Sequence, residues 1–264
     1  MMTDNATADG ASGAAIITAA VLVIGDEILS GRTKDTNIGT IADHLTSIGI
    51  RLSEVRVVAD IEDEIIAAVN ALRSRYDYVF TTGGIGPTHD DITADAIAKA
   101  FGVTIDIDPR ARAMLRERHS EADLTPARLR MARIPAGADL VDNPVSRAPG
   151  FFIGNVIVMA GVPRIMAAML QAVTPQLRTG AKLISLSIHV SAPEGAIAPH
   201  LGGAQGDYAD VQMGSYPYWD DGRLGVYLVL RSVSQERLDT AAMGLEARLQ
   251  GAGLAFARRV DEPN

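Results

Sequence analysis

The chain has 264 residues, 47% hydrophobic and 21% charged, and a net charge of −8. That length suits one large or two modest globular domains, and the acidic balance argues against nucleic-acid binding, which needs a basic face. No apolar run approaches the roughly 18 residues of a membrane helix, so no membrane partner is expected. With no cysteine, disulfides, thiolate metal sites and cysteine nucleophiles are excluded.

Residues 1–18, rich in Ala, Gly, Thr and Asp, read as a mobile tail. The first basic side chain is Arg32, so neither a secretory signal nor a transit peptide is expected, and the reading is cytoplasmic. Ala19 to Ile24 is a short apolar run and reads as a buried strand, with Gly25, Asp26 and Glu27 at its carboxyl end. Ile28 to Thr36 reads as a polar loop. Asn37 is placed to cap a helix whose apolar positions Ile38, Ile41, Leu45 and Ile48 keep helical spacing. Arg51 to Val58 reads as a second strand, closed by Ala59-Asp60. Glu62 to Arg73 is an amphipathic helix.

Tyr78 to Thr82 is a third strand, and it runs into Gly83-Gly84-Ile85-Gly86-Pro87-Thr88-His89-Asp90-Asp91 before a helix from Ala94 to Phe101. Strand, glycine-rich turn and helix start form a unit that can hold an anion, because the first helical amides are unpaired and sit at the positive dipole end. The loop is not a Walker A loop, since no lysine occurs between Lys34 and Lys99, and His89 stands where a dinucleotide fingerprint needs glycine. Asp90 and Asp91 would repel a bare phosphate, but a divalent cation between carboxylate and phosphate removes that conflict. The plainer alternative is that Asp90 caps the helix, Asp91 favours its dipole and the glycines only make the turn.

Val103 to Ile107 reads as another strand. Helices are expected at Ala111 to Ser120 and from Thr125-Pro126 to about Arg133. Their arginines read as a solvated face paired with Glu117, Glu121 and Asp123, with phosphate contact by one or two as the other reading. Ile134 to Ala138 reads as a turn, and Asn143 to Gly150 as a loop. Phe151 to Ile153 and Val156 to Met159 flank Gly154-Asn155 as a hairpin. Pro163 opens a helix through Leu170.

A boundary is expected at Thr179-Gly180, which gives domains at 19–178 and 179–264. In the second, Lys182 to Val190, Val211 to Tyr216, Leu224 to Leu230 and Leu254 to Val260 read as strands. Gly195 to Gly206 and Glu236 to Leu249 read as helices, with Pro217 and Asp221-Gly222 linking the middle strands. This β-α-β-β-α-β order implies a small α+β domain on an antiparallel sheet. Tyr216, Tyr218 and Trp219 read as its core, with a surface patch as the alternative.

The first domain alternates strand and helix, which implies a three-layer α/β/α, mostly parallel sheet. Ligands bind such sheets at the carboxyl ends of the strands. Asp26, Glu27, Asp60 and the glycine loop fall at three such ends.

Ile24-Gly25-Asp26-Glu27-Ile28-Leu29-Ser30-Gly31, Asp35-Thr36-Asn37 and Gly83 through Thr93 together resemble the molybdopterin-binding domain family. They look most like the amino-terminal part of CinA proteins and the molybdopterin-binding-like domain of FAD synthase. His89-Asp90-Asp91 resembles the FAD synthase branch, and the segment after 180 looks like the one that follows the first CinA domain. The resemblance implies a phosphorylated small-molecule partner, a nucleotide or a pterin such as molybdopterin. It also implies divalent-metal-dependent cleavage of a pyrophosphate, as in ADP-ribose or FAD, with Mg, Mn or Co as the ion. A binding module without chemistry is the alternative. Carried over, Gly25, Asn37, Thr82, Gly83, Gly84, Gly86, Thr88 and His89 would shape the ligand site. Asp26, Glu27 and Asp90 would hold metal, and Asp60 and Asp91 would be the acid–base candidates. The family's Asn-Pro-x-Gly-Thr-Ala-Pro-Gly reads here Asn143-Pro144-Val145-Ser146-Arg147-Ala148-Pro149-Gly150, so Ser146 and Arg147 replace Gly-Thr in a pocket loop. Relatives form dimers or trimers, which implies a homo-oligomer.

Overall fold

The computed structural model describes residues 16–220 and 223–259. The chain divides after Gly180 into two compact units. Strand β1 (Ile17–Ile24) is apolar except for Thr18 and buried along almost its whole length, as a strand covered on both faces must be. It begins two residues inside the expected tail, whose first fifteen positions lie outside the described residues. Then come α1 (Asp26–Leu29), α2 (Asn37–Ser47), β2 (Ile50–Val58), α3 (Glu62–Arg73), β3 (Tyr78–Thr82) and α4 (Thr93–Phe101). β4 (Ile105–Ile107), α5 (Pro109–Arg116), α6 (Pro126–Arg130), β5 (Arg133–Pro135), β6 (Asp139–Val141), β7 (Gly150–Ile153), β8 (Val156–Met159) and α7 (Pro163–Val173) complete the unit.

The main sheet runs β2-β1-β3-β8-β7-β6. β2, β1, β3 and β8 are parallel neighbours, and β7 and β6 add an antiparallel edge. Strand side chains alternate between faces, so the sheet builds two cores. On one face Leu22, Val79 and Val158 meet Ile65, Val69 and Leu72 of α3, Ile97 of α4 and Leu115 of α5. On the other, Val21, Phe80 and Ile157 meet Ile41 and Leu45 of α2 and Met166, Leu170 and Val173 of α7. Each such side chain contributes about 1.5–3 kcal/mol by leaving water. The two cores hold the carboxyl ends of β1, β2 and β3 side by side.

Several expectations need correction. Asn37 is the first residue of α2 rather than its cap. The cap-like bond comes from Asp35, whose Oδ1 accepts from the Ile38 amide at 2.8 Å. β4 does not extend the parallel sheet; it pairs antiparallel with β5 in a separate ribbon. The expected turn at 134–138 contains the end of β5, because the buried Ile134 is drawn into the core. The expected polar loop at 28–36 starts instead inside α1.

The second unit comprises β9 (Ile184–Val190), α8 (Glu194–Asp207), β10 (Gln212–Asp220), β11 (Arg223–Ser232), α9 (Gln235–Gly251) and β12 (Phe256–Arg259). Its antiparallel sheet runs β10-β11-β9-β12. Leu186, Ile188, Val190, Val226 and Leu228 pack under Ile197 and Ala204 of α8 and Leu238, Leu245 and Leu249 of α9. β10 continues through Pro217, which an edge strand tolerates because no ladder amide is lost on its open side. Trp219 and Tyr216 are not core residues: they are 72% and 48% exposed. Asp221-Gly222, read as a turn, and Val260, read as a strand end, lie outside the described residues.

Candidate functional site

The glycine loop leaves β3 and enters α4 through a turn that only glycine permits. Gly83 and Gly84 have φ of 105° and 67°. A Cβ on Gly83 would lie 2.1 Å from the Ile24 carbonyl oxygen, and one on Gly84 2.1 Å from Thr93 Oγ1. These two glycines are therefore required by the chain's own packing. Thr93 closes the turn: its amide donates to the Gly84 carbonyl at 3.0 Å and its hydroxyl to the Gly83 carbonyl at 3.0 Å. The Gly83 amide donates to Met159 at the end of β8. The half-buried Gly84, Ile85 and Gly86 then present amides that take no partner among the described residues. Three such donors beside the start of α4 make a concavity of the kind that can hold an anion.

Asp91 shapes this loop. Its Oδ2 accepts from the Thr88 amide at 2.8 Å and also from the Thr88 hydroxyl. Gly86 leaves room for it, since a Cβ there would sit 2.6 Å from that oxygen. The Thr88 side chain, helped by a backbone amide, also holds the Asp90 carboxyl below its usual range. The His89 side chain is wholly exposed, with Nδ1 3.9 Å from Asp90 Oδ1. Thr82 is buried at the end of β3.

Across the sheet edge, Asp60 follows β2 and reaches α1. Its Oδ2 accepts from the Asp26 amide at 3.0 Å. Burial pushes the Asp60 carboxyl above the ordinary range; that amide opposes the shift, and the carboxylates of Asp26, Glu27 and Asp90 reinforce it. Three of the other four expected acids thus act on Asp60. Among the described residues, no three His, Cys, Asp or Glu are grouped closely enough to hold a metal ion by themselves. The Gly25 amide donates to Val58, which ties β1 to β2 here. Asn37 is 4% exposed; its Nδ2 donates to the Gly161 carbonyl at 2.8 Å, and its buried Oδ1 has no partner among the described residues. Gly161 in turn packs on Gly83, with its Cβ position 3.3 Å from the Gly83 Cα.

Ser146 and Arg147 belong to a self-contained turn. Asn143, 1% exposed, accepts from the Val145 and Ser146 amides at 3.1 Å and donates to Ser146 Oγ at 2.5 Å. Arg147 has φ of 63° and spends its guanidinium on Asp142 and Glu117, each at 2.7 Å. Arg147 is thus packed against acids.

The sequence reading left out two arginines as particular members of the site. A small cleft, of about 20 Å³, lies between Gly84–Gly86, the first turn of α4 and Arg130 and Arg133. Arg130 donates to the Asp91 carbonyl at 3.1 Å, and its buried Nε has no partner among the described residues. Arg133 makes a two-point pair with Asp95 at 2.6 and 2.7 Å. Their spacing in sequence pointed to a solvated face; only the fold turns these two toward the loop.

Residues 20–179 match the family model described as "Probable molybdopterin binding domain", and residues 182–257 match "FAD synthase, middle domain". The chain is 42% identical over 158 residues to a protein of Thermoplasma acidophilum, covering 58% of this chain and 62% of that one. It is 36% identical over 244 residues to a CinA-like protein of Citrifermentans bemidjiense, covering 87% of this chain and 58% of the relative. The chain therefore spans about three fifths of the length of these relatives. The crystal structure of the CinA protein from Thermoplasma acidophilum superposes with a TM-score of 0.58 at 41% identity, covering 61% of this chain and 98% of that one.

Proposed function

The chain belongs to the molybdopterin-binding domain family, of CinA-like type, and from that premise we propose that its first unit hydrolyses the pyrophosphate of a nucleotide such as ADP-ribose or FAD. One observation carries this reading: Asp60, its pKa raised by burial and by Asp26, Glu27 and Asp90, stands at the sheet edge that also holds the three unpartnered amides of the glycine loop. The amides of Gly84, Ile85 and Gly86 hold phosphate oxygens. Asp60 takes a proton from the attacking water, and a raised pKa makes it the stronger base. Asp91 is committed to Thr88 and keeps the loop in shape. Water adds to phosphorus, the bridging P–O bond breaks, and AMP leaves with ribose 5-phosphate or FMN.

The donors fit a hard divalent cation, which is commonly held by one or two carboxylates plus substrate phosphate oxygens rather than by an all-protein cage. No three acids among the described residues are grouped closely enough to hold the ion by themselves, so Asp26, Glu27 or Asp90 would hold it only together with the substrate's phosphate oxygens. When bound, such an ion supplies charge neutralisation on phosphate and a more acidic water.

The second reading is a pterin or nucleotide binding module without turnover, favoured by the lack of a three-ligand group among the described residues. The deciding experiment measures AMP release from ADP-ribose and FAD with Mg, Mn or Co, beside Asp60→Asn. Metal-dependent release that drops by about two orders of magnitude or more in the variant supports hydrolysis. Ligand-induced thermal stabilisation without AMP release assigns the binding module.

A further inference from the structure

The second unit carries a groove on its sheet that the pyrophosphatase reading does not use. α8 and α9 cover one face of β10-β11-β9-β12. Neighbours on a strand point to opposite faces. His189, between the buried Ile188 and Val190, and Tyr227, between the buried Val226 and Leu228, therefore stand on the other face. They are register partners.

Tyr218 joins them from β10. Its register partner is Gly225, where a Cβ would lie 2.3 Å from the Tyr218 hydroxyl oxygen. Glycine at that position lets the tyrosine ring lie flat across β11. The Tyr218–Tyr227 ring centroids are 4.8 Å apart, and His189 lies 5.3 and 5.4 Å from Tyr218 and Tyr227. A hydrogen bond between His189 Nε2 and the Tyr218 hydroxyl holds the cluster. The rings form one continuous aromatic floor, tilted by 34–43° from one to the next.

The floor belongs to a groove of about 670 Å³, also lined by Ser191, Arg258 and Arg259. Among the described residues no carboxylate lines it, although the chain carries a net charge of −8. Arg258 is paired with Glu246 and Asp239. Arg259 has no ion-pair or hydrogen-bond partner among the described residues.

We propose that this groove is a second ligand site, for a planar heteroaromatic ring carrying a phosphate, as in a mononucleotide. The ring stacks on Tyr218 and Tyr227, since ring faces are sequence-tolerant platforms for bases, and Arg259, without a partner among the described residues, meets the phosphate. The volume falls in the range of small-ligand pockets, roughly 300–1,000 Å³. A strand of nucleic acid would need a longer basic track than the two arginines lining the groove among the described residues supply. The proposal stands independently of catalysis in the first unit.

The test titrates the full-length chain with AMP, ribose 5-phosphate, inorganic phosphate and a short single-stranded oligonucleotide. Calorimetry and tyrosine-ring NMR are the readouts. AMP is expected to shift the Tyr218 and Tyr227 ring signals, while ribose 5-phosphate and phosphate leave them in place. Tyr218→Leu is expected to weaken this AMP binding about tenfold or more, and Arg259→Gln several-fold. Tyr218→Phe, which keeps the ring, holds affinity within about twofold. Asp60→Asn leaves the ring shifts intact, which separates this groove from the first site. Unmoved ring signals with AMP overturn the proposal. So does unchanged affinity in Arg259→Gln, an exposed position whose replacement leaves the core untouched. An oligonucleotide that binds the rings far more tightly than AMP overturns it as well.

Discussion

The carboxylate of Asp60 accepts a hydrogen bond from the main-chain amide of Asp26 at 3.0 Å, which joins the end of β2 to the first turn of α1. This contact holds a carboxylate among like charges, and it has a consequence for stability. Burial raises the folded-state pKa of Asp60, so folding favours the protonated form. The stability tied to that proton is present below the ordinary carboxylate range and is lost as pH rises through the raised value. Asp60→Asn is expected to melt at a higher temperature than the wild type near neutral pH, and the gap closes at about pH 3, where both side chains are neutral. Thermal melts across pH check this; a lower melting temperature for the variant at neutral pH contradicts it.

His44 gives the opposite sign. It sits on α2, with Nε2 2.7 Å from Thr174 Oγ1, and burial lowers its pKa from 6.5. The unfolded chain therefore takes up a proton before the folded one does. Stability conferred by neutral His44 is full above pH 6.5 and falls as pH drops through 6.5 toward the lowered value. Denaturant titrations of His44→Gln are expected to lose this acid-side decline.

Gly83→Ala is expected to cost about 2 kcal/mol or more, because its Cβ would meet the Ile24 carbonyl and its backbone has positive φ. Gly102→Ala is the control. Gly102 has φ of 66° at the end of α4, but nothing lies within 4 Å of its Cβ position. Its cost is backbone strain alone, about 1 kcal/mol. Equal losses in chemical denaturation would remove the packing argument.

The Arg133–Asp95 pair links β5 to the first turn of α4, with side chains 29% and 25% exposed. A double-mutant cycle with Arg133→Met and Asp95→Asn is expected to give a coupling of about 1 kcal/mol that shrinks with added salt. Arg133→Lys keeps the charge but loses the two-point geometry, so it recovers only part of that coupling.

Much of the first unit was legible from local pattern. The runs Tyr78–Thr82 and Glu62–Arg73 are the elements observed, because period and apolar content there agree with what the tertiary fold rewards. The hairpin around Gly154-Asn155 was readable for the same reason: Gly154 supplies the positive φ of 59° that the turn needs. Short elements were not. β5 and β6 have three residues each, too few to show a period, and they form because neighbours supply their hydrogen bonds and bury Ile134 and Val141. Tyr216 and Trp219 misled in the other direction. Aromatic residues in a strand point to a core, but β10 is a sheet edge and leaves both exposed.

Acids and glycines stand where strands end, and that was readable from the chain because it depends only on element order and on which residues follow each strand. The sequence also carried the family, through residue types at set spacing. The tertiary structure alone decided what each group does. Asp60 became the carboxylate with the raised pKa because the fold buries it and brings Asp26, Glu27 and Asp90, distant in sequence, near it. Asp91 became a loop fastener because Thr88 folds back onto it. Arg147 was taken by Asp142 and Glu117, whereas Arg130 was turned toward the glycine loop. Charge and hydrogen-bonding act through distance, and distances between residues far apart in the chain exist only once the sheet has assembled.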